Sequence, residues 1–237
     1  MNRRKKKKTR NFLFIIISII IVGLIVKLKD NGLINNKENS AHASTENRNK
    51  RNTSSEKILT GKTIVLDAGH GGKDIGASGQ RGAIEKDLTL TMAKNIQNEL
   101  MNRTGANVIL TRDDDVKISL SDRVKIAEES NADLFLSIHF DAFFTNEVEG
   151  ITSYYNKKAD EPLAALIHDY IFKNGLDARD RGISLGDYYV LRENSRPSIL
   201  LELGYISNSI DEARMTSDEF QTNTTNSIVA GIIDYLK

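Results

Sequence analysis

At 237 residues the chain is long enough for one domain of ordinary size with appendages, and its lack of cysteine excludes disulfides, a thiolate metal site and a cysteine nucleophile. The formal net charge of +1 conceals a division: residues 1–58 carry 14 Lys/Arg against 4 Asp/Glu, whereas residues 59–237 carry 19 against 28. Nucleic-acid binders present basic faces, so the acidic remainder argues against that class of ligand, and the basic excess belongs to the N-terminal tail.

Residues 3–10 hold seven cationic side chains, and Phe12 to Val26 is apolar apart from Ser18 and Gly23, with Leu28 beyond Lys27. A basic stretch followed by an apolar one is the pattern of a signal segment. The run is shorter than the ~20 residues of an ordinary span, so a cleaved signal peptide and an uncleaved anchor are both readings of it. Lys27-Leu28-Lys29-Asp30 offers no small-x-small cleavage pattern, and Ala41-His42-Ala43 lies too far on. These flanks favour a membrane anchor over residues 12–28, lengthened by snorkelling of Lys27 and Lys29. The positive-inside rule places the basic tail, within residues 1–29, in the cytoplasm and the rest outside the cell; cleavage would make the protein secreted. Residues 30–58, rich in Asn, Ser, Lys and Glu, read as a disordered linker. As flexible coil it spans on the order of 30 Å, which keeps a domain at 59–237 close to the membrane surface.

That domain alternates strand and helix patterns. Strands are expected at Thr63–Ala68, Asn107–Thr111, Leu134–Phe140, Ile151–Tyr155, Tyr188–Leu191 and Ser198–Leu203. Several are continuous apolar runs, as in strands covered on both faces. Helical spacing links Leu88, Met92, Ile96 and Leu100, then Leu120, Val124 and Ala127 behind a Ser119 or Ser121 cap. It recurs at Leu163, Leu166, Ile167, Tyr170 and Ile171, and at Ile228, Ile232 and Leu236. The pattern predicts a single α/β domain: a twisted, mostly parallel sheet of about six strands with helices on both faces.

The chemistry gathers around Asp67-Ala68-Gly69-His70-Gly71-Gly72, directly after the first strand. Ligands bind at the carboxyl ends of strands in open α/β sheets, and glycines let backbone approach them closely. The stretch is not a phosphate loop, because Gly72-Lys73 has Asp67 and Asp74 where that motif needs Gly and Ser/Thr, and its glycine spacing is wrong for a dinucleotide fingerprint. His139 repeats the logic of His70 at the end of Leu134-Phe135-Leu136-Ser137-Ile138. Glu85 opens the first long helix, either as a favourable first-turn acid or as a third metal ligand. Glu202 sits inside Ser198-Ile199-Leu200-Leu201-Glu202-Leu203, where an ionisable group is costly unless it is partnered or functional.

With these motifs the chain resembles the zinc-dependent N-acetylmuramoyl-L-alanine amidases, a family of bacterial cell-wall hydrolases. The resemblance rests on Asp67 to Gly72, Glu85, Leu110-Thr111-Arg112, Ser119 to Arg123, Ala132 to His139 and Pro197 to Asn208, and it covers 62–236. It implies His70, Glu85 and His139 as zinc ligands and Glu202 as the catalytic glutamate. It also implies the bond: the amide between N-acetylmuramic acid and L-alanine of the peptidoglycan stem peptide. Two His and one carboxylate leave zinc a position open for water and lower that water's pKa to about 7; Glu202 would pass its proton to the leaving amine. Zinc itself rests on the resemblance, since the donors alone admit iron, cobalt or manganese. Phe140-Asp141, where the family often has Ala-Asn, and Tyr205, where Phe is common, are small departures.

Other expectations follow. A non-catalytic peptidoglycan-binding protein and another wall-directed metallohydrolase, a peptidase or deacetylase, are the alternatives. His168 is expected as a surface or half-buried helix residue and not a ligand, with His42 in the linker. Arg112 and Arg123 are expected to pair with the acids of 113–129, and Asp113-Asp114-Asp115 to form a solvated turn. Only residues 156–162 separate Tyr155 from the next helix, too few for the cleft-plugging helix of some relatives. With no recognisable wall-binding repeat, targeting is assigned to the anchor or to a membrane-protein activator.

Overall fold

Thr63-Ile64-Val65-Leu66-Asp67-Ala68 carries β-branched and apolar residues on both of its faces and forms strand β1 (Thr63–Ala68) inside a six-stranded sheet. The computed structural model describes residues 57–237. The other strands are β2 (Asn107–Leu110), β3 (Leu134–Asp141), β4 (Ile151–Tyr155), β5 (Asp180–Leu185) and β6 (Ser198–Tyr205), in the order β2-β1-β3-β6-β4-β5. The first four in that order run parallel; β4 is antiparallel to β6, and β5 is parallel to β4. The helices are α1 (Glu85–Thr104), α2 (Leu120–Glu129), α3 (Glu161–Phe172), α4 (Tyr189–Arg192), α5 (Ser209–Met215) and α6 (Asp218–Leu236).

Alternate strand residues feed two cores. Ile64, Leu66, Leu134, Leu136, Ile138, Ile199 and Leu201 pack with Met92, Ile96 and Leu100 of α1, Leu163 and Ile167 of α3, and Ile228 and Ile232 of α6. Each such side chain contributes about 1.5–3 kcal/mol through burial. Val65, Phe135 and Leu200 face the other way, toward Val124 and Ala127 of α2 and Val190 and Leu191 of α4. This second cover is two short helices. Toward the carboxyl ends of the central strands the same face continues with Asp67 and Ser137, paired in register, and then with His139 and Glu202, also paired in register. The alternation that fills the small core thus delivers the polar residues to one edge.

Local signals set the helix ends. Ser119 caps α2 by accepting from the Asp122 amide, Asn208 caps α5 and Ser217 caps α6. α1 has no side-chain cap at Ile84; Glu85 and Asp87 occupy its first turn, and Gly105 ends it in a left-handed conformation.

Three expectations about elements are corrected. Tyr188–Leu191 is not a strand: Tyr189–Arg192 is a short helix whose Val190 and Leu191 fill the small core, so tertiary packing overrides β propensity. The sixth strand is instead β5, Asp180–Leu185, an edge strand largely open to solvent and therefore without an apolar signature. Helix α5 was not expected, and α6 begins at Asp218, ahead of its apolar repeat. Between β4 and α3 lies one 3-10 turn, Lys158–Asp160. No helix among the described residues is long and apolar enough to cross a membrane; the segment 12–28 and the linker lie outside them.

Candidate active site

β1 ends at Ala68 and the chain turns through Gly69 and His70. His70 adopts φ 60°, a left-handed conformation that a non-glycine residue enters only at a cost of about 1–3 kcal/mol. Two buried arginines hold it there. Arg123 donates to the carbonyls of Ala68 and His70 and to the Asp67 carboxylate, each at 2.6 Å. Arg112 donates to the carbonyls of Ala68 at 3.0 Å and Gly69 at 2.8 Å. The expected pairing of these arginines with side chains of 113–129 is therefore corrected. Asp67 is 1 % exposed and also accepts from Thr111 and Ser137, and a buried carboxylate demands a cation more strongly than solvated surface acids do. Asp113 to Asp115 are exposed as expected, yet Asp115 accepts from Gly72 N at 2.7 Å and Lys86 Nζ at 2.6 Å, tying down the same loop.

The loop delivers His70 to Glu85 at the start of α1 and to His139 on β3. Each of the three offers one ligand atom, and these atoms lie within 4.8 Å of one another. Glu85 Oε1 is 3.1 Å from His70 Nε2 and 2.9 Å from His139 Nδ1, while its Oε2 accepts from Ala77 N at 2.8 Å. The imidazoles meet edge to face with centroids 4.9 Å apart. Room is made by glycine: a Cβ on Gly69 would lie 2.3 Å from His139 Cε1, and one on Gly76 would lie 2.5 Å from Glu85 Oε2. Burial opposes ionisation of Glu85, but the bonds to His139 and His70 outweigh it and hold the carboxyl well below the usual range. The Glu85 hydrogen bond in turn raises the His70 pKa against burial, with help from Asp74. Asp74 Oδ1 lies 2.9 Å from His70 Nδ1, which leaves Nε2 for the centre of the group. An outer carboxylate behind an imidazole is how metal-ligating histidines are usually oriented.

Glu202 stands on the neighbouring strand, opposite His139. It is 6 % exposed, and its Oε2 is buried without a hydrogen-bond partner among the described residues. Among the described residues no cation pairs with it, which removes the structural ion pair as its explanation. Burial, then the charges of Asp141 and Glu85, push its pKa well above the ordinary value. Beside it the Tyr188 hydroxyl is also raised, first by burial and next by the Glu202 charge, and the Tyr188 ring meets Tyr154 edge to face at 5.1 Å.

His168 is more buried than expected. Its Nδ1 meets Ser153 Oγ at 2.9 Å and its Nε2 meets Asp180 Oδ1 at 2.8 Å, and it does not belong to the group formed by His70, Glu85 and His139. His42 lies outside the described residues. Sequence reasoning missed Asp74, Asp67 and Glu212. Asp67 carried the same signal as Glu202, an acid in an apolar strand. Glu212 sits on the unexpected α5, where it accepts from the amides of Arg81 and Ala83 and holds the far end of the glycine-rich loop.

Two imidazoles and one carboxylate on three different elements could hold a divalent metal ion, with a proton acceptor on the adjoining strand. Comparison with known proteins agrees with that chemistry. The chain is 41% identical over 179 residues to a protein of Staphylococcus epidermidis described as "Probable cell wall amidase LytH", covering 75% of this chain and 59% of that one, so it spans about three fifths of that relative's length. Its fold matches the catalytic domain of CwlV, an N-acetylmuramoyl-L-alanine amidase from Bacillus (Paenibacillus) polymyxa var. colistinus, with TM-score 0.71 and 39% identity over 74% of this chain and 98% of that one. It also matches the CwlD amidase of Clostridioides difficile, solved in complex with the GerS lipoprotein, with TM-score 0.66 and 33% identity over 74% of this chain and 98% of that one. A model of the N-acetylmuramoyl-L-alanine amidase family matches residues 64–234, most of the chain, and the chain belongs to that family.

Proposed function

We propose that this chain is a zinc-dependent peptidoglycan amidase that cleaves the bond between N-acetylmuramic acid and L-alanine of the stem peptide. His70, Glu85 and His139 are its metal ligands, and Glu202 is its general acid/base. The observation that carries the reading is the buried, partnerless Glu202 Oε2 on the strand beside the His70, Glu85 and His139 group. A purely structural carboxylate would have been satisfied by a donor. The donor set fits zinc, and the Asp74 carboxylate behind His70 fits the orientation a ligand requires.

Zinc in this group supplies Lewis-acid activation of water and of the scissile carbonyl. The remaining work falls to the protein. Arg123 and Arg112 fix the His70 loop through its carbonyls. Glu202, whose raised pKa gives its carboxyl a strong hold on a proton, takes one from the attacking water. It returns that proton to the alanine nitrogen as the C–N bond breaks, and the second proton of the water follows by the same carboxylate, so a carboxylate and an ammonium group leave the site and Glu202 ends as it began. Its apolar surroundings strengthen the electrostatics of each transfer.

The domain layout read from the sequence joins this proposal: a cytoplasmic tail and anchor at 1–29, a linker at 30–58 and the catalytic domain at 59–237, working on the wall side of the membrane. A membrane-bound activator is proposed with it, motivated by the lipoprotein in the CwlD complex. Cleavage of 59–237 by protease added to intact cells is the expected outcome for an outward domain, and protection would reverse the orientation. Equal activity of the purified chain and of native membranes would remove the activator.

The central test is metal content and muropeptide hydrolysis by the chain, wild type beside Glu202→Gln. The expected result is about one zinc per chain in both proteins, release of the L-alanine amine by the wild type, and a loss of about 10²–10⁴-fold in the variant. Absence of bound metal would overturn the ligand assignment; a fully active variant would remove Glu202 from the chemistry.

A further inference from the structure

An open depression of about 400 Å³ lies beside the candidate centre, lined by Thr152, Tyr154, Arg179, Asp180, Arg181 and Ser184. Its floor is the sheet face that carries Glu202: Thr152 is the register partner of Glu202, and Tyr154 of Leu200. Its wall is the start of β5. The depression therefore shares the sheet face of Glu202, and Thr152 is the point at which it adjoins that strand.

That wall carries two arginines, Arg179 and Arg181. Residues 59–237 hold 28 acidic against 19 basic side chains, so carboxylates are in excess over possible cationic partners. Arg103 and Arg192 at the surface and the half-buried Arg196 and Arg214 each pair with a carboxylate, whereas the exposed Arg81 forms no ion pair among the described residues. Arg179 and Arg181 are exposed, and among the described residues neither forms an ion pair. Asp180, between them, is engaged: its Oδ1 meets His168 Nε2 at 2.8 Å and accepts from Gly182 N at 2.7 Å. The Arg181 guanidinium lies 5.3 Å from the centroid of the Tyr205 ring, and its Nη1 donates to the Glu149 carbonyl at 3.3 Å. Stacking on an aromatic face holds the planar group in place and leaves donors of its fork to spare.

We propose that Arg181, assisted by Arg179, forms a subsite for a free carboxylate on the peptide part of the substrate. The proposal rests on the amidase reading and extends it from the scissile bond to specificity. Two strand spacings separate β6 from β5, about 10 Å in all. An extended peptide advances about 3.3–3.6 Å per residue, so the carboxylate recognised belongs to the first two or three residues beyond the scissile bond. The guanidinium fork matches a carboxylate and does not match a carboxamide, which would turn a donor toward it. Substrates whose stem carboxylates are amidated are therefore disfavoured.

The test compares muramoyl-peptides bearing free stem carboxylates with the same peptides amidated, using the full chain with zinc, as wild type, Arg181→Gln and Arg179→Gln. A charge-assisted contact is worth roughly tenfold in affinity. The expected result is a wild-type preference of roughly that size for the free carboxylate, expressed in KM, which collapses in Arg181→Gln and weakens in Arg179→Gln while bound zinc stays the same. An undiminished preference in Arg181→Gln, or no preference in the wild type, overturns the subsite. If the wild type hydrolyses neither substrate, alone or with native membranes added, the amidase reading fails, and the subsite is judged by calorimetric binding of the two L-alanyl peptides. Preference for the free carboxylate that depends on Arg181 then supports an anion-recognising surface, and equal binding overturns it.

Discussion

Two histidine–carboxylate clusters sit on the same sheet, and they differ in what is left over. At His168 both ring nitrogens are occupied, by Ser153 and Asp180, and the imidazole is buried with its hydrogen bonds complete. At His70 and His139 two imidazoles converge on one oxygen of Glu85, one histidine is held in a left-handed backbone, and the nearby Glu202 has a buried oxygen with no donor. The residue types are the same. The first cluster is a closed account, so nothing further is needed to explain it. The second concentrates strain, charge and an unsatisfied group in one place, a condition that folds tolerate at functional sites.

The sharpest way to break that contrast is to delete one histidine from each cluster. His139→Ala is expected to lose stoichiometric metal and about 10³-fold or more in activity, since the Lewis acid contributes several kcal/mol to the transition state. His168→Ala is expected to keep its metal and instead to lose about 1–3 kcal/mol of stability, because Ser153 would be left buried without its partner. Metal analysis and denaturant melts on both variants decide it; a metal-free His168→Ala would merge the two clusters into one system.

A smaller effect sharpens the role of the outer carboxylate. Asp74→Ala is expected to weaken metal affinity by about 10–100-fold with little change in melting of the metal-free protein, because Asp74 orients His70 from the exposed side. Competition with a chelator measures it, and unchanged affinity would reduce Asp74 to a surface ion pair.

The least effect is on pH dependence, and its sign is definite. The Glu202 pKa is raised on folding, so the folded state resists the charged form, and stability is lost as pH rises from the ordinary carboxylate range toward the raised value. In the metal-free protein Glu202→Gln is therefore expected to be more stable than wild type at pH 8 and to converge with it near pH 4. Parallel melts at both pH values check this; a variant less stable than wild type at pH 8 would mean that the charge has a partner.

Most of the architecture was legible because most of it follows from patterns short in sequence. Apolar runs such as Leu134 to Ile138 announced buried strands, and the spacing of Met92, Ile96 and Leu100 announced α1. β5 was invisible because an edge strand open to solvent has no apolar face to display. Tyr188 to Leu191 misled because its β-forming residues fill a gap in the small core as one helical turn. The candidate ligands were legible as chemistry in unlikely places: a histidine among glycines, another ending an apolar strand, an acid inside one.

What the sequence determined alone was which groups exist and which elements carry them, since composition and periodicity are local properties. It determined that any metal ligand must be His, Asp or Glu, that His139 ends one apolar run and Glu202 lies inside another, and that Glu85 begins a helix. Only the tertiary structure decided how these meet. It placed Glu202 across from His139 through strand register, put Asp74 behind His70, and turned Arg112 and Arg123 onto the carbonyls of the His70 loop. It also left Arg179 and Arg181, two strands from Glu202, without an ion-pair partner among the described residues. Those pairings join residues far apart in the chain, and only burial, which makes an unpaired charge or amide costly, selects among the partners available.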